Sequence, residues 1–297
     1  MKPIRFFALI MALLLVFALV GCGSEEESVD SSTEPSSEEE EYVQTVFRSD
    51  SDQTLYSDSS CFFRLIRTGR NEQGEYYWAV ELKNLTSAEL LMSLDDVYVN
   101  DYAADPCWAL TLAAGESLQT EVIWFASDFS DCGISEVGKV NVRFRAYPKD
   151  KPQSMLADTE LTVYPKGIEG YTAAGRSWLS SDQVLLENEI CAVAVTALAA
   201  DSVHGDVEGF TLTLYLENRG SSEALFSLEN VKLNGQSSDP DWQRVLGAEK
   251  KTFADVTWSD SELAELEIAQ VLSMQFDLVL RDVNGVELAR ESLTYKP

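Results

Sequence analysis

From residue 47 onward, apolar and polar residues alternate in short runs. Trp78-Ala-Val-Glu-Leu-Lys and Leu212-Thr-Leu-Tyr-Leu-Glu place Trp78, Val80 and Leu82, and Leu212, Leu214 and Leu216, on one face of an extended segment. That period of two is the signature of a half-buried strand. The same phase runs through Met92/Leu94 and Phe226/Leu228, Val122/Trp124 and Val256/Trp258, and Val142/Phe144 and Phe276/Leu278. Asp282-Val-Asn284-Gly285-Val predicts a hairpin with a type I′ turn, because Asn-Gly suits left-handed backbone. Ser259-Asp-Ser-Glu262 has the spacing of a capping box and predicts one short helix between strands.

These positions come in pairs because the chain contains an internal repeat. A shift of 134 residues aligns Tyr76–Ala146 with Phe210–Leu280 without a gap, with 19 identities in 71 columns. Among them are Asn84/Asn218, Asn100/Asn234, Asp105-Pro106/Asp239-Pro240, Trp108/Trp242 and Trp124/Trp258. Cys61 meets Cys191 at an offset of 130, so loop insertions lie between them. About seven short strands per copy, spaced every 8–12 residues or so, predict an all-β protein. The expected architecture is two tandem immunoglobulin-like β-sandwiches, at 47–166 and 184–297, joined by a linker at 167–183.

Each copy follows one pattern: a strand, Lys83-Asn84 or Glu217-Asn218, and a polar turn. Then come Ser-Leu-(Asp/Glu)-x-Val-x-(Val/Leu)-Asn, Asp-Pro-x-Trp and a short helix ending in Ile. The pattern resembles a widespread, uncharacterised immunoglobulin-like domain of Gram-positive lipoproteins, frequently in tandem behind an acidic tether. The resemblance covers Thr54–Tyr164 and Val184–Tyr295. It implies a fold and brings no catalytic residue with it.

The N-terminus agrees with that resemblance. Lys2 and Arg5 precede an apolar run from Phe6 to Phe17, and Leu19-Val20-Gly21-Cys22 follows. A basic start, an apolar stretch and small residues describe a secretory signal. The tetrapeptide resembles the lipobox of bacterial lipoproteins. That implies residues 1–21 as a signal peptide, a diacylglyceryl group on the Cys22 thiol, and an acyl chain such as palmitate on its new amino group. The 16 residues of Phe6–Gly21 are too few for a spanning helix, which needs about 20. Residues 22–46 hold nine acids and no base after Cys22, a composition that predicts a disordered acidic tether.

Charge and chemistry narrow the function. The 297 residues carry 22 Lys+Arg against 50 Asp+Glu, a formal net charge of −28. Cleavage before Cys22 removes Lys2 and Arg5 and leaves 20 bases against the same 50 acids. Such a chain repels nucleic acid and anionic headgroups, so the membrane is expected to hold it only through the lipid on Cys22. Its one histidine, His204, sits in a polar loop, and no Gly-x-Ser-x-Gly elbow occurs. No catalytic residue, metal site or cofactor is therefore expected.

Three features remain. Cys107 and Cys132 occur only in the first copy, facing Asp241 and Leu266 in the second, and are a candidate disulfide; burial as free thiols is the alternative. Asp95, Asp96, Asp101, Asp105, Asp128 and Asp131 gather near loops without EF-hand spacing, and read better as solvated acids than as a Ca²⁺ site. Tyr77 and Tyr215 fall on outward strand phases and Trp178 lies in the linker, which makes them the candidate binding aromatics. The expected function is a non-catalytic binding, adhesion or envelope-scaffold module on the extracytoplasmic face of the cell membrane. Its expected partner is a protein or polysaccharide. The alternative is a small-molecule or ion-binding lipoprotein serving a transporter or sensor.

Overall fold

The computed structural model describes residues 45–297 apart from 174 and 205–206, with the backbone alone at 45, 131, 200–204 and 207–208. The expected signal peptide, Cys22 and nearly all of the expected tether lie outside the described residues. The described chain belongs to one compact unit.

In the first copy the strands are β1 (Thr45–Phe47), β2 (Ser51–Ser57), β3 (Cys61–Arg70), β4 (Tyr76–Asn84), β5 (Leu90–Val99), β6 (Tyr102–Ala103), β7 (Ala109–Leu112) and β8 (Ser117–Trp124). Helix α1 (Ala126–Asp131), β9 (Val140–Pro148) and β10 (Ala157–Val163) complete it. The second copy repeats the order. It begins with β11 (Gln183–Glu187), β12 (Cys191–His204), β13 (Val207–Asn218), β14 (Ala224–Leu233), β15 (Gln236–Ser237), β16 (Gln243–Leu246) and β17 (Lys251–Ser259). It ends with α2 (Asp260–Glu265), β18 (Met274–Asp282) and β19 (Glu287–Tyr295).

Both copies are β-sandwiches, as the alternation predicts. In the first, the sheet β2-β3-β4-β8 packs against the β10-β9-β5 half of a long sheet; in the second, β11-β12-β13-β17 packs against β15-β14-β18-β19. Strand β4 buries every other residue, and Trp78, Val80 and Leu82 are fully buried. Trp78 and Trp124 meet edge to face at 5.4 Å in the first core, and Trp258 and Phe226 occupy the second. Large aromatic surfaces removed from water dominate such cores.

The identities between copies close the loops. The buried Asn84 amide donates to the carbonyls of Ala88, Leu112 and Ala113 at 2.7, 3.1 and 3.0 Å. Asn218 makes the same three bonds to Ser222, Leu246 and Gly247 at 2.8, 3.0 and 2.9 Å. Asn84 thus ties two loops together inside its sandwich, and its Asn-Leu-Thr sequence is structural. Asn100 and Asn234, at φ 51° and 49°, each receive two backbone N–H bonds from the segment just before β9 and β18, respectively.

Two details depart from the sequence reading. Thr45 and Val46, read as the end of the tether, are already in β1, paired in parallel with β10. The turn after Asp282 is not type I′. Gly285 has φ +79° while Asn284 is not left-handed, because the Asp282 carboxylate accepts the amides of Asn284 and Val286 at 2.9 and 2.8 Å. That capping gives an ordinary turn with a glycine bulge, and the register shifts there between Leu280 and Arg281. The helix prediction holds: Ser259 accepts from the Glu262 amide and the Glu262 carboxylate accepts from the Ser259 amide.

The twin asparagine networks predict twin effects. Asn84→Ala and Asn218→Ala each leave buried carbonyls unpaired, and each is expected to lower unfolding stability by about 3 kcal/mol in urea titrations. A loss under about 0.5 kcal/mol, the scale of an ordinary surface substitution, at either site would show that water replaces the amide.

Candidate functional site

The feature that distinguishes the two copies is their junction. At the end of β5, Asn100 and Asp101 turn the backbone through left-handed conformations, φ 51° and 69°. This turn starts β6, which pairs back on β5 and also meets β17 of the second sandwich in parallel, Tyr102 opposite Lys251. The Lys251 amide donates to the Asp101 carbonyl at 2.8 Å. One long sheet, β1-β10-β9-β5-β6-β17-β13-β12-β11, therefore runs through both sandwiches.

The Asp101 side chain fixes the seam. It is 5% exposed, and one of its oxygens receives Lys250 Nζ at 2.8 Å and Lys139 Nζ at 2.9 Å. Its other oxygen receives the Tyr171 hydroxyl from the linker. Lys250 also reaches Asn141 Oδ1 at 3.1 Å, whose amide donates to Thr162. Burial pushes the Asp101 carboxyl up, but the charge and hydrogen bond of Lys250, with Tyr171 and Lys139, outweigh it and hold it at about 2. Burial, then the Asp101 carboxylate, pushes the Tyr171 hydroxyl up. Three donors converge on one carboxylate, so the arrangement is a lock between the two sandwiches and the linker.

Aromatic side chains pack beside the lock. Tyr102 stacks on Phe253 with centroids 6.2 Å apart and planes 5° apart, and Phe253 meets Tyr215 at 5.6 Å. Trp178 stands edge-on to Tyr215 at 5.5 Å and donates its indole N–H to Glu187 at 3.1 Å. Arg176 lies over Tyr215 and Phe253, 5.4 and 5.2 Å from their centroids. The nearly buried Asp182 carboxylate holds Arg176 with two hydrogen-bonding nitrogens. Linker and sheet face are thereby joined by a cation over rings, a geometry that strengthens where water is excluded.

Two of the three candidate binding aromatics are consumed by this junction. Tyr215 is fully buried, because the outward face of β13 is covered by Tyr102, Arg176 and Trp178. Trp178 is half-buried on the same surface. Tyr77 is half-buried elsewhere, with the Arg67 guanidinium 5.6 Å from its ring. No disulfide joins Cys107 and Cys132: Cys107 is exposed in a left-handed turn, φ 51°, while Cys132 packs against the first core. Cys61 and Cys191 are buried, and burial raises their thiols to about 12 and about 11, so both stay protonated at neutral pH.

Three of the loop acids have partners of their own. Asp95 pairs with Arg145 at 3.2 Å, Asp105 caps the Cys107 amide at 2.7 Å, and Asp101 is the lock. Among the described residues no group of three or more His, Cys, Asp or Glu side chains is placed to hold a metal ion. Half-open grooves flank the junction, one of about 420 Å³ beside Lys139, Lys250, Glu160 and Glu223, another of about 670 Å³ beside Tyr98, Asp105 and Arg244.

Asp101, Lys250, Tyr171 and Arg176 were invisible to motif reasoning. Their signal lies in where the copies differ. Asp101 faces Gly235, Lys250 faces Glu116, Tyr215 faces Glu81 and Phe253 faces Gln119. Apolar or oppositely charged residues at outward positions of one copy mark the surface that the other copy covers.

The lock makes a pH prediction. A carboxyl held below its ordinary value adds stability above about pH 4, and that stability is lost as pH falls toward 2. Asp101→Asn strands two half-buried ammonium groups and is expected to cost about 3 kcal/mol at pH 7. The deficit should shrink between pH 4 and pH 2, where the native carboxyl takes up its proton. A deficit that stays constant through that window would contradict the assignment, read by urea unfolding at each pH.

No family model matches the sequence, and no curated relative matches it. Solved structures similar to it include the Salmonella enterica SafA pilin in complex with the SafB chaperone, at 11% identity over 82% of this chain and 98% of that one, TM-score 0.23. The partial N-terminal region of the enterococcal surface protein is 12% identical over 82% of this chain and 96% of its own, TM-score 0.23. The CsuC–CsuE chaperone–tip adhesion subunit complex of Acinetobacter baumannii is 13% identical over 76% and 92%, TM-score 0.21. Likeness this distant carries no argument about partner or activity; the all-β sandwich class stands on the strand topology of the chain itself.

Proposed function

We propose that this chain is an exported lipoprotein, anchored through lipid on Cys22, whose two sandwiches act together as one stiff, non-catalytic binding or adhesion module. The observation that carries the reading is the junction. A continuous sheet, a buried three-donor carboxylate and a cation held over two rings fix the far loops of both sandwiches in one frame. A module that works by presenting surfaces needs that stiffness; a ligand-capturing pair of lobes needs a hinge that opens and shuts. The net charge of −28 favours a neutral or cationic protein or polysaccharide partner. A single histidine, which the sequence places in a loop but which ends β12 paired with β13, and the absence of a nucleophile motif support a role without catalysis.

No described helix is long and apolar enough to cross a membrane, and the anchoring half of the proposal rests on Leu19-Val20-Gly21-Cys22. Two or three acyl chains hold a protein where one binds only marginally. In bacterial cells, the natural chain is expected in the membrane fraction and Cys22→Ala outside it. Equal retention of the two in washed membranes would remove the lipid-anchor reading.

A further inference from the structure

The two short helices close equivalent ends of the two sandwiches, but they do so differently. In the first, Phe129 projects from α1 into the core, 2% exposed, edge-on to Tyr76 at 6.0 Å. The Arg70 guanidinium lies 5.1 Å from its ring. The first sandwich therefore fills this end with its own phenyl ring, covered by its own cation.

The second sandwich has a shorter plug, and no Lys or Arg occurs in 196–208, the stretch opposite Phe210 where the first copy has Arg70. The position of Phe129 is Leu263, half-buried, and that of Tyr76 is Phe210. Below them Ile268 and Val271 match Ile134 and Val137, and all four are buried to the same degree, 6–8% exposed. The floor is thus conserved between copies while the plug is shortened. A half-open groove of about 600 Å³ remains, with Leu198, Phe210, Leu263, Ile268 and Val271 among its apolar lining. Two exposed carboxylates stand at its rim, Asp260 and Glu267, where the first copy has Ala126 and Gly133. Glu267 keeps the left-handed backbone of the glycine it faces, φ 54° against 67°. An L-residue there costs about 1 kcal/mol relative to glycine, so a charge occupies a position where glycine is the easier choice.

We propose that this groove at α2 is the docking site of a partner protein segment that presents an aromatic side chain beside a lysine or arginine. The occupant's chemistry is written in the first sandwich: the ring replaces what Phe129 supplies there, and the cation replaces Arg70. The rim reverses sign to meet it, since Asp260 and Glu267 attract the positive charge that the first copy carries itself. An apolar pocket with few placed polar groups is the usual form of a recognition site, and a buried aromatic anchor is the usual form of a hot spot. The site deepens the binding-module reading and rests on it for its biological partner. Occupancy by a probe at α2 is independent of whether Cys22 carries lipid.

The test uses residues 22–297 with Cys22→Ser, which retain the whole compact unit, and 2-phenylethylammonium as probe. Methyl resonances of Leu263, Ile268 and Val271 are expected to shift with half-saturation at millimolar probe, while those of Ile134 and Val137 stay fixed. The anion 3-phenylpropionate, with the same ring, should bind at least tenfold more weakly. Leu263→Phe restores the first copy's plug and should abolish the shifts with an unchanged or higher Tm. Asp260→Asn with Glu267→Gln should bring the cation and anion affinities to within about twofold, an independent readout should the phenylalanine variant misfold. Absence of shifts at the α2 methyls, or equal binding of cation and anion by the unsubstituted protein, would overturn the proposal.

Discussion

One buried carboxylate carries the architecture. Asp101 lies in the turn after β5, and its left-handed backbone delivers β6 to the edge of β17, so that its carbonyl and side chain both bind the second sandwich. Coulomb attraction between Asp101 and two lysines is strong here because water is largely excluded, and with the Tyr171 hydroxyl it outweighs the desolvation of the carboxylate. Everything else at the seam depends on this contact. Tyr102 follows Asp101 directly and stacks on Phe253, and Tyr171 reaches the carboxylate from the linker. The linker then returns Arg176 and Trp178 across the outer face of β13. In the second copy the same turn has Gly235 with no carboxylate, and β15 pairs with β14 alone.

Duplication followed by divergence accounts for what is shared and what is not. The shared residues are those whose geometry a sandwich needs twice: Asn84 and Asn218 inside, Asn100 and Asn234 under the next strand, Asp105 and Asp239 capping a turn. The divergent residues gather on surfaces with separate tasks. Around the seam, outward positions are apolar in the second copy and the acid belongs to the first. At the far helix, the second copy has the shorter plug and the carboxylates. The residues that fold each sandwich are shared, and the residues at the seam and at the far helix differ between the copies.

Much of this was legible before the structure. Period-two alternation named the inward residues because one-sided burial forces it, and Trp78, Val80, Leu82 and their partners are all in the core. The capping box marked α2 because its two hydrogen bonds are local. What escaped the sequence is what depends on a second layer. Tyr215 follows the outward phase of β13 yet is fully buried, since phase says which side of a sheet a residue faces and not what covers that side. Cys191-Ala-Val-Ala-Val in β12 held a clue. Its run without polar alternation is that of a strand buried on both faces, and all five residues are buried. Asp101 looked like one loop acid among several, because pairing with Lys250, 149 residues away, leaves no local trace. Cys107 and Cys132 were linked by shared absence from the second copy, a pattern that reports divergence and not proximity.

The central claim is that the two sandwiches form one rigid body. Residual dipolar couplings of backbone amides in both, recorded on residues 22–297 in a single alignment medium at pH 7, test it most directly. Couplings from β3, β4 and β8 and couplings from β14, β18 and β19 should fit one alignment tensor, with the orientation of the structure. Two tensors of different magnitude, one for each sandwich, would mean that the halves move independently and would contradict the account.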